Sequence, residues 1–340
     1  MRKSRGRPGG AAGTERPRVA ITGSGSFLPE QVLTNADLEK MVDTSDEWIV
    51  ARTGIRERRI ASNGMVTSDL AAAAGRRALE SAGVEPGEVD LVMVATITPD
   101  RPFPATACVV QEKIGTQRAA ALDIGAACSG HIYGLQLAHG LIAAGMHRTV
   151  LLISADILSR ILDWEDRSTC VLLGDGAGAS VIQPHPERGH EIVDTYIASD
   201  GSAGDILQVP AGGSAIPPSH DSIDKRLHFM KMEGNKLFKL ATRRMAEALK
   251  IIGERNGVTP DKIVRLVPHQ ANIRILETTA RLWGMPVERV FLNLERYGNM
   301  SAASIAVALD EVDAELSPGD LVALVAFGSG LTWASGLLRW

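Results

Sequence analysis

Gly83-Val84-Glu85-Pro86, followed closely by the apolar run Asp90-Leu91-Val92-Met93-Val94, recurs in the second half of the chain. There it reads Gly257-Val258-Thr259-Pro260, with Ile263-Val264-Arg265-Leu266-Val267 behind it. Each copy reads as the end of a helix, a turn and a short buried strand. A second correspondence extends the first: a strand over Ala120 to Ile124, a helix starting near Cys128 and a strand over Thr149 to Ile153. Its counterpart is a strand over Val290 to Leu294, a helix after Ser301 and a strand over Leu321 to Ala326. Short, continuously apolar strands alternating with amphipathic helices imply parallel sheet buried on both faces, with helices outside. The chain therefore divides into an α/β half over residues 18–185 and a second over 186–340, after a disordered basic tail over 1–17. A pseudo-twofold between the halves brings equivalent strand ends to the centre, where open α/β sheets bind ligands.

At 340 residues with 45% apolar and 22% charged residues, the chain has the composition of an ordinary globular enzyme. Aromatics are only 4% while glycines number 34, so small residues carry much of the packing. A net charge of −4 argues against general nucleic-acid binding, and no uncharged apolar stretch is long enough to span a membrane. The tail lacks the apolar core of a secretory signal. Cys108, Cys128 and Cys170 have no metal or disulfide spacing, which fits a reducing, cytoplasmic setting, and Cys108 and Cys170 read as core residues.

Three segments carry the chemistry: Asp123-Ile124-Gly125-Ala126-Ala127-Cys128-Ser129-Gly130, Val267-Pro268-His269-Gln270-Ala271-Asn272 and Tyr297-Gly298-Asn299-Met300-Ser301-Ala302. Cys128 falls between a strand and a helix. Unpaired N–H groups and the positive dipole end of that helix favour a thiolate and can receive an oxyanion. His269 ends an apolar strand among polar neighbours, and Asn299 precedes a helix. Each has a structural alternative, the histidine capping the next helix and the asparagine a turn or N-cap. Cys, His and Asn also fit a cysteine hydrolase in which the imidazole is the base. The residues alone leave both readings open.

With Thr44-Ser45-Asp46-Glu47-Trp48-Ile49-Val50, Arg52-Thr53-Gly54-Ile55-Arg56-Glu57-Arg58, Gly174-Asp175-Gly176-Ala177-Gly178-Ala179 and Ala326-Phe327-Gly328, these segments resemble the β-ketoacyl-acyl carrier protein synthase III family. The resemblance runs from about Arg18 to Trp340. It implies a thiolase-like fold, an internally duplicated five-layered αβαβα arrangement. It also implies an acyltransferase that condenses a short acyl-CoA, acetyl-CoA foremost, with malonyl-acyl carrier protein at the start of type II fatty acid synthesis. Cys128 would hold the acyl group, with His269 and Asn299 as neutral donors to the enolate formed as CO2 leaves. The Cys128 and Ser329 amides would form the oxyanion hole. Trp48 and Arg167 would sandwich the CoA adenine, Arg52 would meet a phosphate, and Leu158 would line the acyl pocket. Phe103 would reach across a homodimer interface to the partner's pocket. CoA thioesters enter as substrates, and neither cofactor nor metal is implied.

Between Lys231 and Lys250 stand six basic residues against two acidic ones, with Lys236, Lys239 and Arg243 spaced for one helix face. The resemblance makes Lys239 and Arg274 the docking contacts for the acidic carrier protein. Two positions depart from the family pattern. His131 stands where an apolar side chain is usual and bears on the acyl pocket or the thiol, unless it is merely packed. Ser329 stands where a glycine is usual. Three other readings are carried forward: a thiolase-like enzyme of specialised metabolism with another acceptor, a non-catalytic partner subunit, and a dinucleotide-binding oxidoreductase suggested by Gly23-Ser24-Gly25. The last lacks the third glycine of its fingerprint, since position 28 is Leu.

Overall fold

The computed structural model describes residues 17–184 and 189–340. Residues 1–16 of the expected tail over 1–17 and the proposed boundary at 185/186 lie outside the described residues. The main elements are β1 (Val19–Phe27), α1 (Asp46–Thr53), α2 (Thr67–Ala82), β2 (Leu91–Ala95), α3 (Thr106–Ile114), β3 (Ala120–Ile124), α4 (Gly130–Ala143), β4 (Val150–Asp156) and β5 (Gly176–Pro184). They continue with β6 (His190–Ser199), α5 (Gly234–Asn256), β7 (Ile263–Pro268), α6 (Ile273–Trp283), α7 (Ala303–Val312), β8 (Leu321–Gly328) and β9 (Thr332–Arg339).

The repeated turn folds the same way twice. Gly83 (φ 65°) and Gly257 (φ 62°) end α2 and α5 in the left-handed conformation that a Cβ disfavours. Pro86 and Pro260 then open 3₁₀ turns that feed β2 and β7. The nine strands run in the order β7-β8-β9-β6-β1-β5-β4-β2-β3. Two halves meet at β1 and β6, which share only the pairs Ala20–Glu191 and Ile21–His190.

Three apolar clusters define the layers. Leu70, Ala74 and Leu79 of α2 pack with Val92, Val94 and Ile153 on the outer face of the first half. Met245, Leu249 and Ile252 of α5, with Leu276 of α6, cover Leu266, Ala323 and Val325 on the outer face of the second. Between the two halves of the sheet lie Ile132, Leu135 and Ala138 of α4 and Ile305, Ala308 and Leu309 of α7, against Leu152 and Leu324. Helix–sheet–helix–sheet–helix is the expected five-layered arrangement. Of its middle helices, α7 is buried along nearly its whole length and α4 on the face that meets the sheet.

Three expectations are corrected. The sheet is mixed: β2 is parallel to β3 and β4, and β7 to β8, but β4-β5, β5-β1, β8-β9 and β9-β6 are antiparallel. Strands joined without a crossover helix, such as the β8–β9 hairpin, have to run antiparallel. Val290 to Leu294 is not a strand, because only Val290 bridges Leu266 and a buried side chain replaces the rest of the ladder. Gln270 Nε2 donates to the Phe291 carbonyl, and Gln270 Oε1 accepts from Asn293 N–H. Finally, Cys108 is exposed on α3; Cys170 is buried as expected.

Gly23 and Gly25 lie inside β1, not in a phosphate loop. A Cβ on Gly23 would stand 2.5 Å from Ala82 N, and one on Gly25 2.4 Å from Ala78 N. Both glycines let α2 press on the strand, which removes the structural context of a dinucleotide fingerprint.

Candidate active site

Cys128, His269 and Asn299 border one cavity of about 430 Å³ at the centre of the molecule, with Ser301 and Ser329 beside them. Most of its wall is apolar and includes Ile97, Leu158, Leu173, Met230 and Ile275. Such a chamber suits an apolar chain with a few convergent polar groups at one end.

Cys128 sits in a 3₁₀ turn, Ala127–Ser129, that runs directly into α4, and Ala127 before it holds φ 45°. Its N–H is among those that the first turn of a helix cannot satisfy. The chain passing at Gly328 comes so close that a Cβ there would lie 2.7 Å from Cys128 N. That approach brings the Ser329 amide to the same corner. Serine is tolerated because the positive φ falls on Gly330 (138°), not on Ser329, whose hydroxyl donates to the Leu207 carbonyl.

His269 follows β7 and anchors its own N–H on the Val325 carbonyl (2.8 Å). Its Nδ1 lies 2.7 Å from Ser304 Oγ. The polar neighbours of the segment are structural. Gln270 holds the Phe291–Asn293 stretch, and Asn272 caps α6 through Arg274 N–H while its Nδ2 donates to the Arg52 carbonyl. Burial pushes the His269 imidazole down to about 4, so it is neutral at pH 7.

Asn299 is strung beside residues 172–174: its N–H donates to the Leu172 carbonyl (2.9 Å), and its carbonyl accepts from Gly174 N–H (3.0 Å). Only glycine permits this contact, since a Cβ on Gly174 would meet Tyr297 O at 2.3 Å and Gly298 holds φ 66°. Asn299 Oδ1 accepts from Ser301 N–H (2.8 Å). That bond fixes the amide orientation and leaves the NH2 group available as a donor.

Two residues that the sequence did not single out border the thiol. Asp156, at the end of β4, is fully buried. Its Oδ1 accepts from Thr96 Oγ1, Ile97 N–H, Thr98 N–H and Thr98 Oγ1, while the Ser301 hydroxyl stands near both this carboxyl group and the Cys128 thiol without full hydrogen-bond geometry to either. Burial pushes the Asp156 carboxyl up to about 6. Burial likewise pushes the Cys128 thiol up to about 12; the Ser301 hydroxyl pulls it down, and the Asp156 charge pushes it further up. In the absence of substrate the thiol is neutral, contrary to the thiolate expected from the helix end alone. Replacing Asp156 by Asn keeps the acceptor for the four donors and removes the charge. Alkylation of Cys128 by iodoacetamide at pH 7 should then accelerate, by about tenfold for each unit the thiol pKa falls.

His131 does not border the cavity. It is buried between Ser154 Oγ (3.0 Å from Nδ1) and Ser180 Oγ (3.4 Å from Nε2). Burial pushes it down to about 3, below the value near 6.5 of the unfolded chain. The unfolded state therefore binds the extra proton between those pH values, and stability is lost as pH falls through that window. From pH 6.5 to 5 the loss is about 2 kcal/mol for this residue. His131→Gln, which keeps a polar contact without the titration, should flatten that part of the pH dependence of thermal unfolding.

The outer contacts fall in two places. Trp48 lies under two guanidinium groups, Arg52 at 4.5 Å and Arg167 at 5.3 Å from the ring centre. Arg167 also donates to the Asp43 carbonyl, so a flat group entering between Trp48 and Arg167 has to widen that gap. Elsewhere Arg274 lies over the Phe238 ring (5.8 Å), which puts it beside Lys239 where α5 and α6 meet. Lys236 and Arg243 pair with Glu233 and Glu247. Among the described residues neither Lys239 nor Arg274 enters an ion pair. Leu158 is in the cavity wall, whereas Phe103 is 83% exposed and stands clear of the chain's own cavity. No helix among the described residues is long and apolar enough to cross a membrane, and among them no group of three or more His, Cys, Asp or Glu side chains could hold a metal ion.

The profile of 3-oxoacyl-[acyl-carrier-protein] synthase III matches residues 122–201, and that of its C-terminal part matches 254–340. The β-ketoacyl-[acyl-carrier-protein] synthase III of Caldanaerobacter subterraneus subsp. tengcongensis is 51% identical over 328 residues, 96% of this chain and 99% of that one. Among solved structures, the 3-oxoacyl-[acyl-carrier-protein] synthase III of Aquifex aeolicus superposes with a TM-score of 0.87 at 44% identity, covering 95% of this chain and all of that one. The priming β-ketosynthase of the R1128 polyketide pathway superposes with a TM-score of 0.88 at 32% identity, covering 97% and 98%.

Proposed function

The chain belongs to the 3-oxoacyl-[acyl-carrier-protein] synthase III family, and from that premise we propose how its own residues divide the reaction. The activity is that of a condensing acyltransferase: an acyl group from a short acyl-CoA is joined to malonyl-acyl carrier protein with loss of CO2, the condensation that initiates fatty acid synthesis. Cys128 attacks the acyl-CoA thioester and keeps the acyl group as CoA leaves. The amides of Cys128 and Ser329 hold the oxyanion of that step. Malonyl-acyl carrier protein then enters, and His269 and Asn299 hold its thioester oxygen as decarboxylation turns it into an enolate. The enolate carbon attacks the acyl-cysteine. Donors fixed in a dry cavity before the charge develops are worth several kcal/mol, because no reorganisation is needed at the moment of reaction.

The observation that carries this reading is the meeting of Cys128, His269 and Asn299 at the polar end of one apolar cavity. In a cysteine hydrolase water must reach the acyl-thiol, whereas an apolar chamber keeps the acyl-cysteine dry until a carbon nucleophile arrives. Supplying acetyl-CoA and malonyl-acyl carrier protein and resolving the products by mass tests it. A 3-oxoacyl carrier protein with release of CO2 is expected; free acetate, or no turnover with any short acyl-CoA, would sink the reading.

The flanking residues support assignments of their own. Trp48, Arg52 and Arg167 form a cationic-aromatic clamp that suits the nucleotide of CoA. Lys239 and Arg274, neither in an ion pair among the described residues, lie on one ridge fit for an acidic carrier protein. Their double reversal to Glu should raise the KM for malonyl-acyl carrier protein at least tenfold and leave acylation of Cys128 by acyl-CoA unchanged. Assembly as a homodimer accords with the unpaired outer edge of β3, its exposed Leu122 and the exposed Phe103. In that assembly Phe103 closes the partner's acyl pocket.

A further inference from the structure

The loop between β8 and β9 reads Ser329-Gly330-Leu331 after the terminal Gly328 of β8, so the Ser329 side chain stands between two glycines, whose backbone is freer than that of any other residue. It is also the loop that brings an amide to the Cys128 corner of the cavity. Three contacts knit it to the segment over 200–207. Leu331 and Asp200 exchange backbone bonds, Leu331 N–H to the Asp200 carbonyl at 2.8 Å and Asp200 N–H to the Leu331 carbonyl at 2.9 Å. Gly204 presses on the loop so closely that a Cβ there would lie 3.0 Å from Gly330 O. The third contact is the Ser329 hydroxyl, which donates to the Leu207 carbonyl. Of the three it alone comes from a side chain, and it acts on the residue whose N–H serves the oxyanion. With glycine on both sides free to turn, that bond is what fixes the direction of the Ser329 amide.

Leu207 is not a neutral anchor. Its side chain packs in an apolar cluster with Leu158, Leu173 and Met230, and all four border the cavity. The strand to which it belongs is only two residues long, Leu207–Gln208, paired with Lys231–Met232. So short a ribbon, with adaptable methionines beside it, yields to a bulky occupant more readily than the nine-stranded sheet. An acyl chain that reaches Leu207 and displaces it therefore moves the carbonyl that holds Ser329.

We propose that Ser329 is a positioning residue that makes the enzyme selective for short acyl groups. Its hydroxyl ties the oxyanion amide to the acyl wall at Leu207, so a chain that shifts the wall draws the amide off the oxyanion. The proposal rests on the acyl transfer to Cys128 assigned above. A donor works within about 2.7–3.1 Å of the developing oxyanion, and misplacement by about 1 Å costs on the order of a hundredfold. Selection is then exerted on the rate of acyl transfer and not on the binding of acyl-CoA.

Single-turnover acylation of Cys128 by acetyl-, butyryl- and hexanoyl-CoA, followed by mass, reads the rate at saturation and the half-saturating concentration separately. In the wild type the saturating rate should fall at least about tenfold from acetyl to hexanoyl, with little change in half-saturation. Ser329→Ala cuts the tie: it should slow acetyl transfer about tenfold and hexanoyl transfer little, so the ratio between them collapses. Ser329→Gly should do the same, and Ser329→Thr, which keeps a hydroxyl, should recover the ratio. A merely structural role would slow all three acyl groups alike. That result, a wild type indifferent to chain length, or one that discriminates through half-saturation alone, overturns the proposal while leaving the acyl-transfer reading intact. If no acyl-CoA labels wild-type Cys128, the functional reading falls and the proposal with it.

Discussion

Cys128→Ala should reduce formation of 3-oxoacyl carrier protein to the uncatalysed background, yet should still bind acyl-CoA with nearly the wild-type affinity. The side chain removed is small, half-buried at the cavity wall and engaged in no hydrogen bond that supports the fold, so the packing of α4 against Ala95 and Ala302 is untouched. What disappears is the only atom to which the acyl group can be attached between the two substrates. Residual rates should therefore drop to the background of the uncatalysed acyl exchange, a loss of about four orders of magnitude or more. Cys108 and Cys170 cannot substitute: one is exposed on α3 and the other lies in a separate buried cluster with Leu38 and Ile49. Equilibrium binding of a non-hydrolysable acyl-CoA analogue, beside a steady-state assay, separates the two effects.

Asn299→Ala should stop the reaction at the other step. Its NH2 group is oriented by Ser301 N–H and has no other duty in the fold, while its backbone pairing with Leu172 and Gly174 survives the substitution. Acylation of Cys128 should proceed at close to the wild-type rate. Condensation should fall at least about a hundredfold, the usual effect of removing one oxyanion donor. The acyl-enzyme should accumulate in consequence and be visible by mass in the presence of both substrates. Combining Asn299→Ala with His269→Ala should cost less than the product of the single losses, because both act on one oxygen.

The parts of this site that are legible in the sequence are those whose function is local. Cys128, His269 and Asn299 each sit at a strand or helix end among small residues, and the repeated Gly-Val-x-Pro turn announces the duplication that brings them together. Asp156, Ser301 and Ser304 are ordinary residue types on unremarkable stretches; their importance comes from what faces them across the molecule. Asp156 stands at the end of a strand whose apolar run simply stops, and nothing local says that the Ser301 hydroxyl will stand near its carboxyl group. A weak signal existed for Ser301 and Ser304, both in the segment that follows Asn299. The same limit explains the strand misassigned at Val290 to Leu294. Its apolar pattern is that of a strand, but the amide of Gln270 occupies the position where a neighbouring strand would have paired.

The glycine-rich segment Gly174 to Ala179 illustrates the opposite case, a motif whose role is packing. Gly176 and Gly178 admit Met300 and Ala306, with a Cβ at either position falling 2.5 Å from them. Asp175, just before them, is bonded to Ala61 N–H and Ser159. The segment holds β5 against α7 and so fixes the loop that carries Asn299.

The most direct measurement is intact-protein and peptide mass spectrometry after acetyl-CoA treatment, followed by a chase with malonyl-acyl carrier protein. One acetyl increment confined to the peptide containing Cys128, absent in Cys128→Ser and cleared by the chase with formation of 3-oxoacyl carrier protein, is the result this account predicts. Absence of an increment with every short acyl-CoA, or an increment that the chase clears only as free acid, would contradict it.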